Sequence, residues 1–135
     1  MKKEFSIHWK ASKQPRKQRK FRVNAPLHIK HKLMSAHLSK ELRTKHSRRS
    51  FPVRKGDKVK VMRGQFRGVI GEIESVDMKN MKVLVKGAEF KAKAGAAPRK
   101  YPLDASKLML ISLNLDDKMR VKALERSKKT TGAKK

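Results

Sequence analysis

The 135-residue sequence has no cysteine, few acidic residues and no long apolar stretch. Without cysteine the chain has no disulfide, no thiolate nucleophile and no cysteine-based zinc site. The longest unbroken aliphatic run is "LMLI" at 108–111, which is far too short to span a bilayer. The first residues also lack the apolar stretch of a secretory signal. These absences predict a cytosolic protein that is not inserted in a membrane.

The shortage of acidic residues leaves the chain strongly cationic, because 38 Lys and Arg stand against 11 Asp and Glu, for a net charge of +27. The excess is uneven, with +14 in residues 1–50, +6 in 51–117 and +7 in 118–135. Phosphate backbone is the usual partner of such a chain, since neutralising phosphates releases their counterions. An anionic membrane would require a sustained apolar face or a lipidation signal, and neither is present. The composition favours a nucleic-acid-binding protein over a merely soluble basic domain.

Residues 1–23 are predicted to form a basic arm, because they show neither a helical nor a strand period. The arm contains three isolated aromatic residues, Phe5, Trp9 and Phe21. Such residues stack on exposed RNA bases or pack on protein, and the sequence leaves both interpretations open.

Residues 24–50 are predicted to be a basic helical extension. Asn24 is a suitable N-cap, and Ile29, Leu33 and Ala36 share one helical face at i, i+4 and i+7. A second short helix is predicted to begin at Ser39. Helices this short are not stable alone in water, so they imply a partner surface.

Residues 51–115 change to a strand pattern. The segments "DKVKV", "GVIGEI", "MKVLVKG" and "KLMLISL" alternate apolar and polar residues, and "EFKAKAGAAPRKYP" reads as a ragged hairpin with Gly95 and Pro98 in its loop. The period of two breaks between Ile73 and Val76, which predicts a bulge or corner. Several short strands without helices between them predict a mainly β fold, a small SH3-like barrel. Residues 116–135 are predicted to form a short helix to about Ser127 and then a disordered lysine tail.

Three glycines, at 64, 68 and 71, interrupt the stretch "VMRGQFRGVIGEIESV". Gly64 and Gly68 lie in the loop between two predicted strands, where glycine permits a positive φ. Gly71 lies within the second strand, where the absence of a side chain lets another chain segment approach closely. Arg63 and Arg67 flank the turn, so the loop is predicted to present guanidinium groups to a phosphate backbone.

The segment 53–87, "VRKGDKVKVMRGQFRGVIGEIESVDMKNMKVLVKG", resembles the KOW motif of SH3-like barrels. The matching pieces are Gly56-Asp57, Val59-x-Val61, Arg63-Gly64, Gly68, Gly71 and Val83-x-Val85. Both flanks, from about residue 15 to 125, are similar to the KOW-domain ribosomal protein of the large subunit. That family is numbered twenty-four in bacteria and archaea and twenty-six in eukaryotes, and the similarity is to its archaeal and eukaryotic branch.

This resemblance implies a structural ribosomal protein that takes part in translation. It would bind large-subunit ribosomal RNA near the 5′ end, assist ribosome assembly, contact neighbouring ribosomal proteins and lie near the nascent-chain exit tunnel. The alternatives are a transcription-elongation KOW module, which usually accompanies further domains, and a DNA architectural protein.

Enzymatic activity is not expected, because Glu72 and Glu74 lie on one face of a strand and no phosphate-cradling or Ser/His/Asp motif is present. We expect no cofactor, metal or small-molecule substrate. His28 and His31 could share a helix face, but no carboxylate joins them and the surrounding lysines oppose a cation.

The predicted RNA contacts are basic residues of the arm, the helical extension and the rim of the barrel. In the arm they are Arg16, Lys17, Arg19, Lys20 and Arg22, and in the extension Lys30, Lys32, Arg43, Lys45, Arg48 and Arg49. Lys55, Arg63 and Arg67 complete the set on the barrel. About half of these are expected to touch phosphate or ribose, since structured RNA is recognised largely by shape, phosphates and 2′-hydroxyls.

Overall fold

A computed structural model describes residues 5–90 and 97–132, with side chains as far as Arg126 in the last helix. After a 3-10 turn, Ile7–Ala11, come the helices α1 (Pro15–Asn24), α2 (Leu27–Leu33), α3 (Lys40–His46) and α4 (Lys118–Gly132). The strands are β1 (Ser35–Leu38), β2 (Ser50–Pro52), β3 (Lys58–Val61), β4 (Ile70–Asp77), β5 (Lys82–Val85), β6 (Glu89–Phe90), β7 (Arg99–Lys100) and β8 (Leu108–Ser112).

Six strands form one sheet in the order β2-β1-β8-β3-β4-β5, and β6 pairs with β7 in a separate hairpin. β1 runs parallel to β8, whereas the other pairs are antiparallel. The last strand in the sequence therefore lies at the centre of the sheet. Within the described residues the two edge strands, β2 and β5, do not pair with each other. The architecture is a mixed helix and sheet fold with an open sheet, so the prediction of a mainly β, closed barrel was too specific.

The core lies on one face of this sheet, as the alternation of apolar residues requires. In β3 and β8 the residues Val59, Val61, Leu108 and Leu110 are buried, while their neighbours in sequence are not. The other buried strand residues include Ala36, Leu38, Ile73, Val83 and Val85. The strands predicted at 57–61, 68–73, 81–87 and 107–113 are thus confirmed to within a few residues.

The predicted irregularity after Ile73 is also confirmed. The register of β4 against β5 shifts between Ile73 and Ser75, so β4 is irregular where the alternation of the sequence breaks. Bulges of this kind bend a strand and increase its twist. Ile73 is buried, and Val76 packs against the core from a partly exposed position.

The N-terminal half differs from the prediction in two places. Residues 15–24 form α1 instead of an irregular arm, and Asn24 ends this helix and does not cap the next one. Ala36 does not continue the helical face of Ile29 and Leu33, because the chain leaves α2 and enters β1. The physical reason is that "SAHL" alternates in burial and pairs with both β2 and β8, so pairing within the sheet overrides the helical spacing.

The helix predicted from Ser39 is confirmed. Ser39 is the N-cap of α3 and its hydroxyl accepts a hydrogen bond from the amide of Leu42, at 3.3 Å, while Glu41 lies in the first turn. At the C-terminus, the helix predicted to end at about Ser127 continues through 128–132, so the prediction of disorder after Ser127 was wrong over those residues. Residues 133–135 lie outside the described range, as does Gly95 in the predicted hairpin loop; the pairing of β6 with β7 confirms the hairpin itself.

A buried ion pair attaches α4 to the sheet. Asp57 is 0% exposed and Arg120 is 5% exposed, and each carboxylate oxygen accepts a hydrogen bond of 2.7 Å from the guanidinium. Asp57 also accepts from the amides of Arg54, at 2.8 Å, and Asn114, at 2.9 Å. The Arg120 guanidinium lies 5.3 Å from the centroid of the Phe51 ring. Asp57 therefore accepts four hydrogen bonds, and it joins the start of β3 to the last helix.

Candidate nucleic-acid interface

The glycine loop, residues 62–69, connects β3 to β4 as a compact turn. Gly64 and Gly68 have φ angles of 94° and 93°, which side-chain-bearing residues rarely adopt. The amide of Gly68 donates to the carbonyl of Val61, at 2.8 Å, and the amide of Arg67 to the carbonyl of Gly64, at 3.1 Å. The predicted turn is confirmed. Arg63 and Arg67 are both exposed beside it, as an anion-binding loop requires.

Gly71 lies in β4 and meets the end of β5. A Cβ at this position would overlap the backbone carbonyl oxygen of Lys86. The amide of Lys86 in turn donates to the carbonyl of Glu72, at 2.9 Å. The predicted close approach is thus confirmed. It holds the strand that follows the glycine loop firmly against its neighbour.

Helix α1 carries the five predicted cations of the arm, and all five side chains are exposed. Its one buried residue, Phe21, lies 5.2 Å from the ring of Phe5. Phe5 in turn meets Trp9 at 6.5 Å, and the Lys20 ammonium lies 4.7 Å from the Trp9 ring centroid. Of the two interpretations left open, packing on protein describes these aromatics. They anchor a short helix whose predicted cations are exposed.

Some predicted cations of the extension are exposed, and others contact the rest of the protein. Lys30 is only 8% exposed, and its ammonium donates to the carbonyl of Lys79, at 3.1 Å, which gives it a structural contact. Arg48 is half-buried, with its guanidinium 5.5 Å from the Phe51 ring centroid. Arg43 remains exposed although its Nε donates to the carbonyl of Leu38, at 2.8 Å. The other three, Lys32, Lys45 and Arg49, are exposed, as is Lys55 on the predicted barrel.

Several acidic residues pair with cations outside the predicted set. Asp104 pairs with Lys82 at 2.6 Å, Glu74 pairs with Lys100, and Asp117 pairs with Arg54. The Lys82 hydrogen bond lowers the pKa of Asp104, and the Met119 amide, which donates to Asp117 at the start of α4, lowers the pKa of Asp117. In the described part of the chain, none of the fourteen predicted contact residues forms an ion pair with a carboxylate.

Sequence reasoning missed the Asp57–Arg120 pair. Asp57 was part of the Gly56-Asp57 match, but nothing in the sequence showed that it is buried. Arg120 is one cation among many, and its partner lies 63 residues away. A lone Arg on an otherwise apolar helical face is the only signal that could have marked it.

Among residues 5–90 and 97–132, no three His, Asp or Glu side chains are grouped to hold a metal ion. No helix in these ranges is long and apolar enough to cross a membrane.

The sequence is similar to known proteins over most of its length. Residues 12–127 match the family model that describes the ribosomal proteins L26 of eukaryotes and L24 of archaea. The large ribosomal subunit protein uL24 of Methanosphaera stadtmanae is 51% identical over 115 residues, which cover 85% of this chain and 97% of that protein. The protein of the same name from Methanocorpusculum labreanum is 50% identical over 115 residues, covering 85% and 94%.

Proposed function

The chain belongs to the family of eukaryotic L26 and archaeal L24 ribosomal proteins, and from that premise we propose that the predicted cations of α1, the α2–α3 region and the glycine loop form the surface that binds ribosomal RNA. Membership confirms the resemblance seen in the sequence. It makes the protein a structural, non-enzymatic constituent of the large subunit of the cytoplasmic ribosome, associated with ribosomal RNA and other ribosomal proteins.

One observation carries the assignment of the surface. Twelve of the fourteen predicted side chains are exposed, and none of them is neutralised by a carboxylate in the described part of the chain. Folding therefore leaves these cations uncompensated, which costs free energy unless an external anion is present. The ribosomal RNA backbone supplies that anion. The surface includes α1, the α2–α3 region and the glycine loop.

The finer features of the fold and location are part of the same proposal. The succession of β3, the glycine loop, β4 with its bulge and β5 supports an SH3-like KOW module within residues 51–115. Residues 1–23 and 24–50 would be its basic extensions, although β1 joins the same sheet, and residues 116–135 its terminal helix and tail. The family resemblance supports an RNA site near the 5′ end of the large-subunit RNA, a role in assembly and a position near the exit tunnel.

The direct test is a binding titration against the 5′ domain of large-subunit ribosomal RNA at near-physiological salt, with excess duplex DNA as competitor. Saturable binding that resists the DNA supports an RNA site recognised by shape. Complete displacement by DNA would instead indicate a general polyanion binder, such as a DNA architectural protein.

A matched pair of triple variants tests the assigned surface. Replacing Arg16, Arg19 and Arg22 with Gln removes three cations of α1, and replacing Lys58, Lys79 and Lys86 with Gln removes three exposed cations outside the proposed set. Because both variants lose the same net charge, we expect the α1 variant to bind RNA far more weakly than its control. Equal losses would contradict the assignment to α1.

A further inference from the structure

A groove with a cavity of about 310 Å³ lies between α2, β2 and α4. Its walls come from segments far apart in the sequence, including Lys32 on α2, Phe51 on β2, and Met119 and Ala123 on α4. The volume is at the lower end of the range of roughly 300–1,000 Å³ that small-ligand pockets occupy. The groove is formed only when the last helix is docked on the sheet.

The lining is strongly cationic. It contains five Lys or Arg residues but a single carboxylate, that of Asp117, which pairs with Arg54. The charge of Arg120 is matched by Asp57. Lys32 and Arg48 remain without a carboxylate partner in the described chain, so the groove is complementary to an anion.

One side of the groove is apolar. Met119 is 66% exposed on α4, with Ala123 one turn further along the same helix. The buried ring of Phe51 lies beneath the guanidinium groups of Arg48 and Arg120. A cationic rim beside an uncovered apolar wall suits a ligand with a phosphate at one end and a flat, weakly polar body at the other.

We propose that this groove holds one unstacked nucleotide of the ribosomal RNA, with its phosphate against Lys32 and Arg48 and its base against Met119. This inference rests on the proposed function, and it adds α4 to the RNA-binding surface. It also gives the Asp57–Arg120 pair a functional consequence, because that pair holds α4 in place as one wall of the groove.

The test compares single variants of the full chain in titrations with the 5′-domain RNA at several salt concentrations. Lys32→Gln removes a phosphate contact, so affinity falls by about tenfold and the slope of log K against log salt becomes shallower by about one. Lys79→Gln removes an exposed lysine away from the groove and stays within about threefold of the wild type. Met119→Gln weakens binding at every salt concentration with the slope unchanged, whereas Met119→Leu retains the affinity.

Two results overturn the inference while leaving RNA binding itself intact: Lys32→Gln binding as tightly as Lys79→Gln, or Met119→Gln binding as tightly as the wild type. Absence of saturable binding by the wild-type protein would instead overturn the proposed function, and the groove with it. Far-UV circular dichroism on each variant shows that the fold is retained.

Discussion

Replacing Asp57 with Asn tests the idea that a buried ion pair fixes the last helix to the sheet. The carboxylate accepts four hydrogen bonds of 2.7–2.9 Å, two from Arg120 and two from backbone amides. In the Asp57→Asn variant the side-chain NH₂ group would face hydrogen-bond donors, namely the guanidinium or a backbone amide, instead of an acceptor. The Arg120 guanidinium would also remain buried without a counter-charge. Removing one partner of a buried pair costs about 3–5 kcal/mol, a large share of an unfolding free energy of about 5–15 kcal/mol.

The matched control is Asp116→Asn, which makes the same chemical change and the same change in net charge at an exposed carboxylate. We expect the free energy of unfolding of this variant to lie within about 0.5 kcal/mol of the wild type. Urea denaturation followed by far-UV circular dichroism measures both variants. A loss at Asp57 no larger than that at Asp116 would refute the reasoning.

A double-mutant cycle sharpens the same test. Arg120→Met leaves Asp57 buried and unpaired, so this variant should also lose several kcal/mol. The combined variant removes both charges, so its loss of unfolding free energy should be smaller than the sum of the two single losses by about 0.5–3 kcal/mol. Strict additivity would show that the two side chains do not act as a pair.

Three further predictions concern the glycine loop and its surroundings. Gly71→Ala should lower the free energy of unfolding by about 1–3 kcal/mol or more, because its Cβ would overlap the backbone carbonyl of Lys86 at the end of β5; a wild-type urea midpoint would contradict the close approach. Gly68→Val should damage folding more than Arg67→Ala, and Arg67→Ala should damage RNA binding more, as melting curves and RNA titrations on both variants would show; equal effects on both properties would contradict this division. The backbone amide of Asn80 donates a hydrogen bond that lowers the pKa of Asp77, so this carboxylate stabilises the fold at any pH above its unfolded pKa of about 3.8. This contribution is lost as the pH falls through the lower folded pKa. Urea denaturation should therefore show a stability difference between wild type and Asp77→Asn that disappears in strong acid.

The central strands and the glycine loop could be predicted because their signals are local. Alternation in "DKVKV" and "MKVLVKG" directly reflects one buried face, and Gly64 and Gly68 occupy positions where the turn requires a positive φ. The bulge after Ile73 was visible for the same reason, since it breaks a period that both flanking segments keep. Most of the predicted cations are exposed because lysine and arginine rarely become buried without a partner.

The remaining features depend on contacts between distant residues. Ala36 fits a helical face by spacing, and only pairing with β2 and β8 makes its segment a strand. Lys30 resembles every other lysine of the extension until its ammonium meets the carbonyl of Lys79. The partner of Arg120 lies in another element, so no window of sequence contains both. The groove beside α4 was missed for the same reason.

Electrostatic binding through the exposed cations is tested most directly by the salt dependence of affinity for the 5′-domain RNA. If about ten phosphates are neutralised, log K should fall against log salt with a slope of roughly −7 to −9. Affinity would then drop by three to four orders of magnitude when the salt concentration rises about threefold. A nearly flat dependence would contradict electrostatic binding, because the cations would then not be the groups that hold the RNA.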